Sequence, residues 1–413
     1  MEKYRLLLIG LLLAAGLGRA GAQNSASPYS KIGYGLLSEN ATGLQRSMGG
    51  VGYAMQNGRQ INVMNPASYA SVDSLTFLWD IGIDLTNLWS KENGNSGHSF
   101  GGGLDYIAAE FKLAKRVGGS FGVVPFSSVG YSFGNTLENN GTETRSGNGG
   151  ISELYAGVGW EPFNGLSAGA NFSYMFGTIV NDTYVYSTST TLFERVMEVR
   201  DWNVNLGLQY RLNLNRKDRL VVGFTYSPKR SLHGHTWGLS YDASQDTKVD
   251  SIGYTGLTGK YQKPNTFGVG LSYSHLDRFT AEVDFTYQDW GKAKYTPLEG
   301  FESSSMKFDN RWKVAAGLQY TPNSRGSYLK RVTYRMGGHY NHDYMNIGGN
   351  NVRDYGAGFG LTLPAPGSKT LVNLGFEWKH RFTTPKELIK EDYFNITLSV
   401  TFNEMWFWKN KIR

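Results

Sequence analysis

The chain reads as an all-β protein: a transmembrane, antiparallel, up-and-down barrel of about 14 strands with a non-repeating segment ahead of it. Three observations predict this. Successive segments alternate apolar and polar residues with a period of two. The connections between them are short and long in turn, and aromatic residues recur at segment ends. Only 40% of the residues are hydrophobic. That excludes a helical membrane protein, which needs repeated apolar runs of roughly 20 residues. A barrel tolerates such an average because half of each strand faces a polar lumen. The 53 Gly and 26 Tyr, with 11 Pro in 413 residues, suit a sheet with aromatic belts and a crowded interior.

The first element is an export signal. Lys3 and Arg5 precede an apolar core from Leu6 to Leu17, and Ala20-Gly21-Ala22 supplies small residues for cleavage. At about 12 residues the core is too short to cross a bilayer as a helix. Residues 1–22 are therefore expected to be removed, leaving Gln23 first. Lys3, Arg5 and Arg19 leave with Glu2, so the formal charge of +7 falls to +5. Cys is absent, which excludes disulfides, thiolate metal sites and a lipid-modified N-terminal Cys. Lys and Arg gather at strand ends and turns and are not interleaved with aromatics, which argues against nucleic acid. They are expected to face the outer-membrane lipid and lipopolysaccharide of a Gram-negative cell.

Residues 23–74 do not alternate. Met48-Gly-Gly-Val-Gly-Tyr53 and Asn62-Val-Met-Asn65-Pro66-Ala67-Ser68-Tyr69 punctuate them into turns. The segment is either a periplasmic tail or a plug in the lumen; its dispersed Tyr, Met, Val and Ile need something to pack against.

Residues 75–403 form the barrel. Phe279, Ala281, Val283, Phe285 and Tyr287 alternate with Thr280, Glu282, Asp284, Thr286 and Gln288, and Trp202 to Tyr210, Trp312 to Tyr320 and Phe394 to Phe402 repeat the pattern. Short turns fall near 115–118, 162–165, 213–218, 275–277, 321–328 and 364–369. Long polar loops fall near 90–101, 134–149, 181–199, 227–264, 291–308, 342–352 and 383–392. Short periplasmic turns opposite long external loops are the mark of an outer-membrane barrel, whereas a soluble sandwich has no reason to sort them. Trp160, Tyr210, Tyr273, Tyr320 and Phe402 mark the inner girdle, and Phe176, Tyr287, Trp290, Tyr340 and Trp378 the outer one. An even strand count leaves both termini periplasmic. Residues 232–241 alternate weakly and are assigned to an external loop, because a further spanning strand makes the count odd. Residues 404–413 form a basic, aromatic periplasmic tail.

Met48-Gly49-Gly50-Val51-Gly52-Tyr53-Ala54 together with Asn65-Pro66-Ala67-Ser68-Tyr69 resembles the N-terminal hatch of the FadL-type transporters of long-chain fatty acids and other hydrophobic compounds. The run from Ala281 to Trp290 resembles the family's mid-barrel strand, Ala316–Pro322 with Tyr334–Tyr340 resembles its later hairpin, and the ending from Leu388 to Arg413 is similar to the Bacteroidota branch. The resemblance covers essentially the whole mature chain. It implies a barrel plugged by its hatch and an interruption in the third strand that opens a lateral exit. That strand, 119–133, contains Pro125 and Phe126. Pro cannot donate to a β-ladder, so the position is either an opening or an ordinary bulge.

Catalysis is not expected. Gly165-Leu-Ser167-Ala-Gly169 opens a strand with no helix after it, so it is no nucleophile elbow. His233 and His235 lack a third metal ligand nearby, His339 and His342 flank an external loop and are expected to be solvated, and Glu282 with Asp284 reads as ordinary lumen polarity. The expected function is passive uptake of a hydrophobic, fatty-acid-like small molecule through an apolar pocket in the upper barrel. Asn65, Pro66 and Ala67 form the gate, with Asn65 capping or hydrogen-bonding the broken strand and Pro66 fixing the turn. Exit is at Pro125 and Phe126, and no cofactor or energy source is implied. The alternative is a non-transporting scaffold or subunit of a secretion or assembly complex with outer-membrane protein partners, which the basic-aromatic tail favours.

Overall fold

A computed structural model describes residues 27–136, 141–186, 190–242, 250–299, 301–302 and 307–405. The export signal and the tail beyond Met405 lie outside the described residues. Fourteen strands form the wall: β1 (Thr76–Glu92), β2 (Asn95–Ala114), β3 (Val117–Thr136), β4 (Thr142–Phe163), β5 (Leu166–Tyr186), β6 (Thr190–Asn213), β7 (Asp218–Ser227), β8 (Thr266–His275), β9 (Phe279–Gln288), β10 (Arg311–Tyr320), β11 (Thr333–Ile347), β12 (Asn350–Pro364), β13 (Leu371–Thr384) and β14 (Lys390–Met405). Each pairs antiparallel with the next, and β14 returns to β1 from Thr76↔Met405 to Lys91↔Lys390. The barrel is closed, which removes sheet edges except where β2 and β3 part.

Its polarity is inside out. On β9, Val283 and Phe285 are 52% and 44% exposed, while Glu282 and Asp284, which alternate with them, are buried. Leu104, Leu154, Phe172, Leu206 and Phe359 continue the exposed apolar belt around the wall. No described helix is long and apolar enough to cross a membrane; the strands supply the crossing.

The stretch 90–101 is not a loop. β1 and β2 run on to a two-residue turn at Asn93-Gly94, both at positive φ (44° and 87°), the geometry that matches strand twist. Gly348-Gly349 closes β11 to β12 the same way. Above the apolar belt both faces of a strand meet water, so alternation disappears while the ladder continues. The stretch 232–241 also differs from its loop assignment. Gly234–Asp242 is a strand that pairs with the first half of β6 and with Asp250–Gly256. β7 occupies only the second half of β6. Two half-length strands thus share one long partner, and the spanning count stays at fourteen.

Of the two options for the N-terminal segment, the structure has the plug. Met48, Val51, Ala54, Ile61, Ala67 and Tyr69 are completely buried within the barrel. The wall makes room with glycine: a Cβ on Gly159 or Gly169 would strike Pro66, on Gly223 the Tyr53 carbonyl, and on Gly317 or Gly337 the Met48 carbonyl. At the long-loop end the plug's Tyr29 and Tyr34 join Tyr261, Trp290, Tyr344 and Met345 in one apolar core. Trp290 is therefore not a girdle residue. It stacks on Tyr344 at 4.6 Å and is 1% exposed, because the segment after β9 folds inward over the lumen.

Exposed cations lie at both ends: Lys115, Arg116, Arg216, Lys217, Arg278, Arg325, Lys330, Arg331 and Lys369 at the short turns, and Lys91, Lys260, Lys292, Lys294, Lys307 and Lys386 at the long-loop end.

Candidate functional site: plug, wall gap and charged chamber

The plug is held by polar contacts at several heights. Asn65 caps the short helix Pro66–Ser71, its Oδ1 accepting the Ala67 N–H at 3.1 Å. Its Nδ2 donates to the Tyr53 carbonyl at 2.7 Å and to the Leu208 carbonyl of β6 at 3.2 Å. Asn65-Pro66-Ala67 thus abuts β4, β5 and β6, at Gly159, Gly169 and Gly207. Asn65 does not bond the third strand, contrary to expectation, because the interrupted part of that strand meets an earlier piece of plug. Pro66 does sit in the first turn, where its missing N–H costs nothing.

Glu282 and Asp284, read as plain lumen polarity, clamp the glycine-rich run. Asp284 Oδ2 accepts the Gly52 and Tyr53 N–H groups at 2.7 and 2.9 Å, and Glu282 Oε1 accepts that of Ala54 at 2.9 Å. The available signal was complementary: turn-rich backbone with unused donors, and two acids on one lumen face.

β2 and β3 pair only from Ala114↔Val117 to Ile107↔Val123. Beyond Val123, β3 keeps its ladder with β4, with a register shift between Pro125 and Ser127, but has none with β2. The plug's Leu36–Leu37 pairs there instead, against Ser128 and Ser127, and Ser38 N donates to Phe126 O at 2.9 Å. Pro125 and Phe126 lie where the wall parts.

Behind the gap lies a chamber of about 400 Å³. Glu39 of the plug pairs there with Lys313 and, at 3.1 Å, with Arg311. Burial pushes the Glu39 carboxyl up, but Lys313 and Arg311 outweigh it and hold the group at about 2. Arg46 pairs with Asp105 at 2.6 Å, and Arg381 with Asp354 at 3.4 Å. His339 is not solvated; it is buried here, 3.3 Å from Asp354. The upper lumen, where an apolar pocket was expected, is filled among the described residues by the protein's own aromatic core. His233 bonds Asp201 at 3.0 Å and His235 stacks on Tyr254, so the two take separate partners.

The family model described as BamG matches residues 1–413. The chain belongs to the BamG family. No curated protein matches it. Among solved structures, this BamG-family barrel is similar to the toluene transporter TodX of P. putida, with a TM-score of 0.63 at 15% identity over 90% of this chain and 100% of that one. A FadL homologue of Pseudomonas aeruginosa gives 0.64 at 12% identity, over 89% and 99%. The monoaromatic hydrocarbon channel CymD gives 0.59 at 15%, over 89% and 99%. At these identities the likeness is one of fold: the BamG-family chain has the FadL-type barrel.

Proposed function

We propose that this protein is a plugged, non-conducting outer-membrane barrel that serves as a subunit of an envelope complex, with its short-turn end and both termini in the periplasm. The observation that carries the reading is the packed lumen. Met48, Val51, Ala54, Ile61, Ala67 and Tyr69 of the plug are fully buried, the plug backbone lies against wall glycines, and the apolar space above is occupied by Tyr34, Trp290 and Tyr344. A barrel filled this way leaves its outer surfaces as the working parts. The cationic short-turn end supports the same reading, since it offers charge to an acidic periplasmic partner.

A second reading is passive uptake of a hydrophobic small molecule. The unpaired stretch of β2 and β3 at Pro125 favours it, as does the fold shared with hydrocarbon channels. In that reading the plug around Asn65-Pro66-Ala67 shifts to open a path, and the molecule leaves sideways.

Purification from native membranes in mild detergent, with conductance in planar bilayers, tests the first reading. It expects stoichiometric partner proteins and no conductance. A barrel that runs alone and speeds entry of a lipophilic compound into cells supports uptake instead.

A further inference from the structure

The wall gap and the chamber share their edges. Gly102 to Asp105 of β2 and Pro125 and Ser128 of β3 line the chamber, and the same stretches are where the ladder is missing. The outside of this opening is oily: Phe100 and Leu104 are 61% and 64% exposed, beside Leu85 and Val123. The inside is charged. Leu36, Leu37 and Pro125 add an apolar part to the lining, but an opening that joins the lipid belt to so many charged groups is a poor path for a wholly apolar solute, which would have to desolvate them. It suits an amphiphile whose head enters while its chains stay in the membrane.

The charges inside indicate which head. Glu39, Arg46, Arg311, Lys313, Asp354 and Arg381 are all used in ion pairs. Asp84 of β1 and Lys379 of β13 also line the chamber, yet neither stands within ion-pair distance of an opposite charge among the described residues. Lys379 Nζ lies over the Tyr393 ring, at 4.2 Å. Both face the lumen, two strands and four residues apart in the register, about 16 Å backbone to backbone. An extended lysine and a bridging zwitterion fill that span. The chamber's 400 Å³ equals the liquid volume of about 13 waters, enough for a head group with its hydration.

We propose that the chamber takes the zwitterionic aminoalkyl-phosphate head group of a glycerophospholipid through the β2–β3 gap, its phosphate at Lys379 and its ammonium at Asp84. The site goes beyond the subunit reading and does not depend on it.

Gly103 provides the test. It faces the chamber opposite Asp84, and a Cβ there meets nothing within 4 Å. Gly103→Trp therefore fills the space without disturbing the wall. Protein purified in lipid-free detergent is analysed by native mass spectrometry and lipid extraction. Wild type is expected to retain about one phosphatidylethanolamine. Gly103→Trp and the pair Asp84→Asn with Lys379→Gln are expected to lose it at least tenfold while keeping heat-modifiable gel migration. In a competition arm, soluble phosphoethanolamine is expected not to displace the lipid at millimolar concentration. No retained lipid in wild type, or equal retention in Gly103→Trp, overturns the site. Displacement by free phosphoethanolamine overturns entry from the membrane in favour of a water-borne solute.

Discussion

Asn65 uses its whole side chain on the joint between plug and wall: one bond to its own helix, one to the Tyr53 carbonyl and one to β6. Asn65→Ala removes a cap and two further bonds, at a cost of about 1–3 kcal/mol. All of that falls on the plug, since no wall ladder bond is lost. The expected outcome is unchanged heat-modifiable migration with a plug that proteases cut sooner. Equal protease resistance removes Asn65 from the joint. Glu39 makes a pH prediction with a definite sign. Its carboxyl lies below its ordinary value because Lys313 and Arg311 outweigh burial. The ion pairs therefore contribute fully above the unfolded value near 4.3, and the contribution fades as pH falls toward about 2. Plug protease resistance is expected to be flat from pH 8 to pH 5 and to drop only below about pH 4. Loss between pH 7 and pH 6 means that another group holds the plug.

At the scale of elements, alternation was legible wherever a strand had one oily face, which is why the spanning part of β9 was readable residue by residue. It failed for 90–101 and 342–352, where both faces are wet, and for 232–241, whose partner is the far half of β6. Pro125 was legible as a break because Pro lacks a donor. The substitute partner was not, since Leu36 and Leu37 lie 92 and 90 residues from Ser128 and Ser127 respectively, and carry no periodicity of their own. The chain has no Cys, so this pairing can be trapped cleanly. Leu37 and Ser127 are direct cross-strand partners, whose Cβ atoms stand about 5 Å apart in such pairs, close enough for a disulfide after a small adjustment. Leu37→Cys with Ser127→Cys is expected to cross-link on mild oxidation in intact membranes. If the protein is an uptake channel, oxidation stops uptake and reduction restores it. If it is a plugged subunit, oxidised and reduced forms support its complex equally. The wall glycines make a companion prediction. Gly337→Val places a side chain where Met48 and Gly49 now lie, so the plug must shift while the β10–β11–β12 ladder stays. A rise in bilayer conductance over wild type is expected, and a silent variant shows that the plug does not seal the lumen there.

At the scale of the whole molecule, the short-turn rim is cationic for a reason the linear sequence hides. Lys and Arg are spread along the chain, and only the antiparallel fold gathers Lys115, Arg116, Arg216, Lys217, Arg278 and Arg331 onto one rim. Asp73, Asp277 and Glu404 are the exposed carboxylates among the described residues of that rim, too few to balance it. A concentrated field of one sign steers association with an oppositely charged surface and weakens as salt screens it, with a screening length of about 10 Å at 0.1 M. Two placements follow from one orientation. A short tag inserted at Gly348-Gly349, in a turn with open space around both glycines, is expected to be reached by antibody on intact cells. One inserted at Arg216-Lys217 is expected to need a permeabilised outer membrane. Charge reversal of Arg216, Lys217 and Arg331 to Glu leaves every wall pairing in place, so barrel assembly should be unchanged. Partners recovered with the protein are expected to fall several-fold at low salt and to differ little from wild type at 0.5 M NaCl, where the rim is already screened. Partner recovery that ignores both salt and charge reversal moves the docking surface off this rim and onto the lipid-facing belt or the long-loop end.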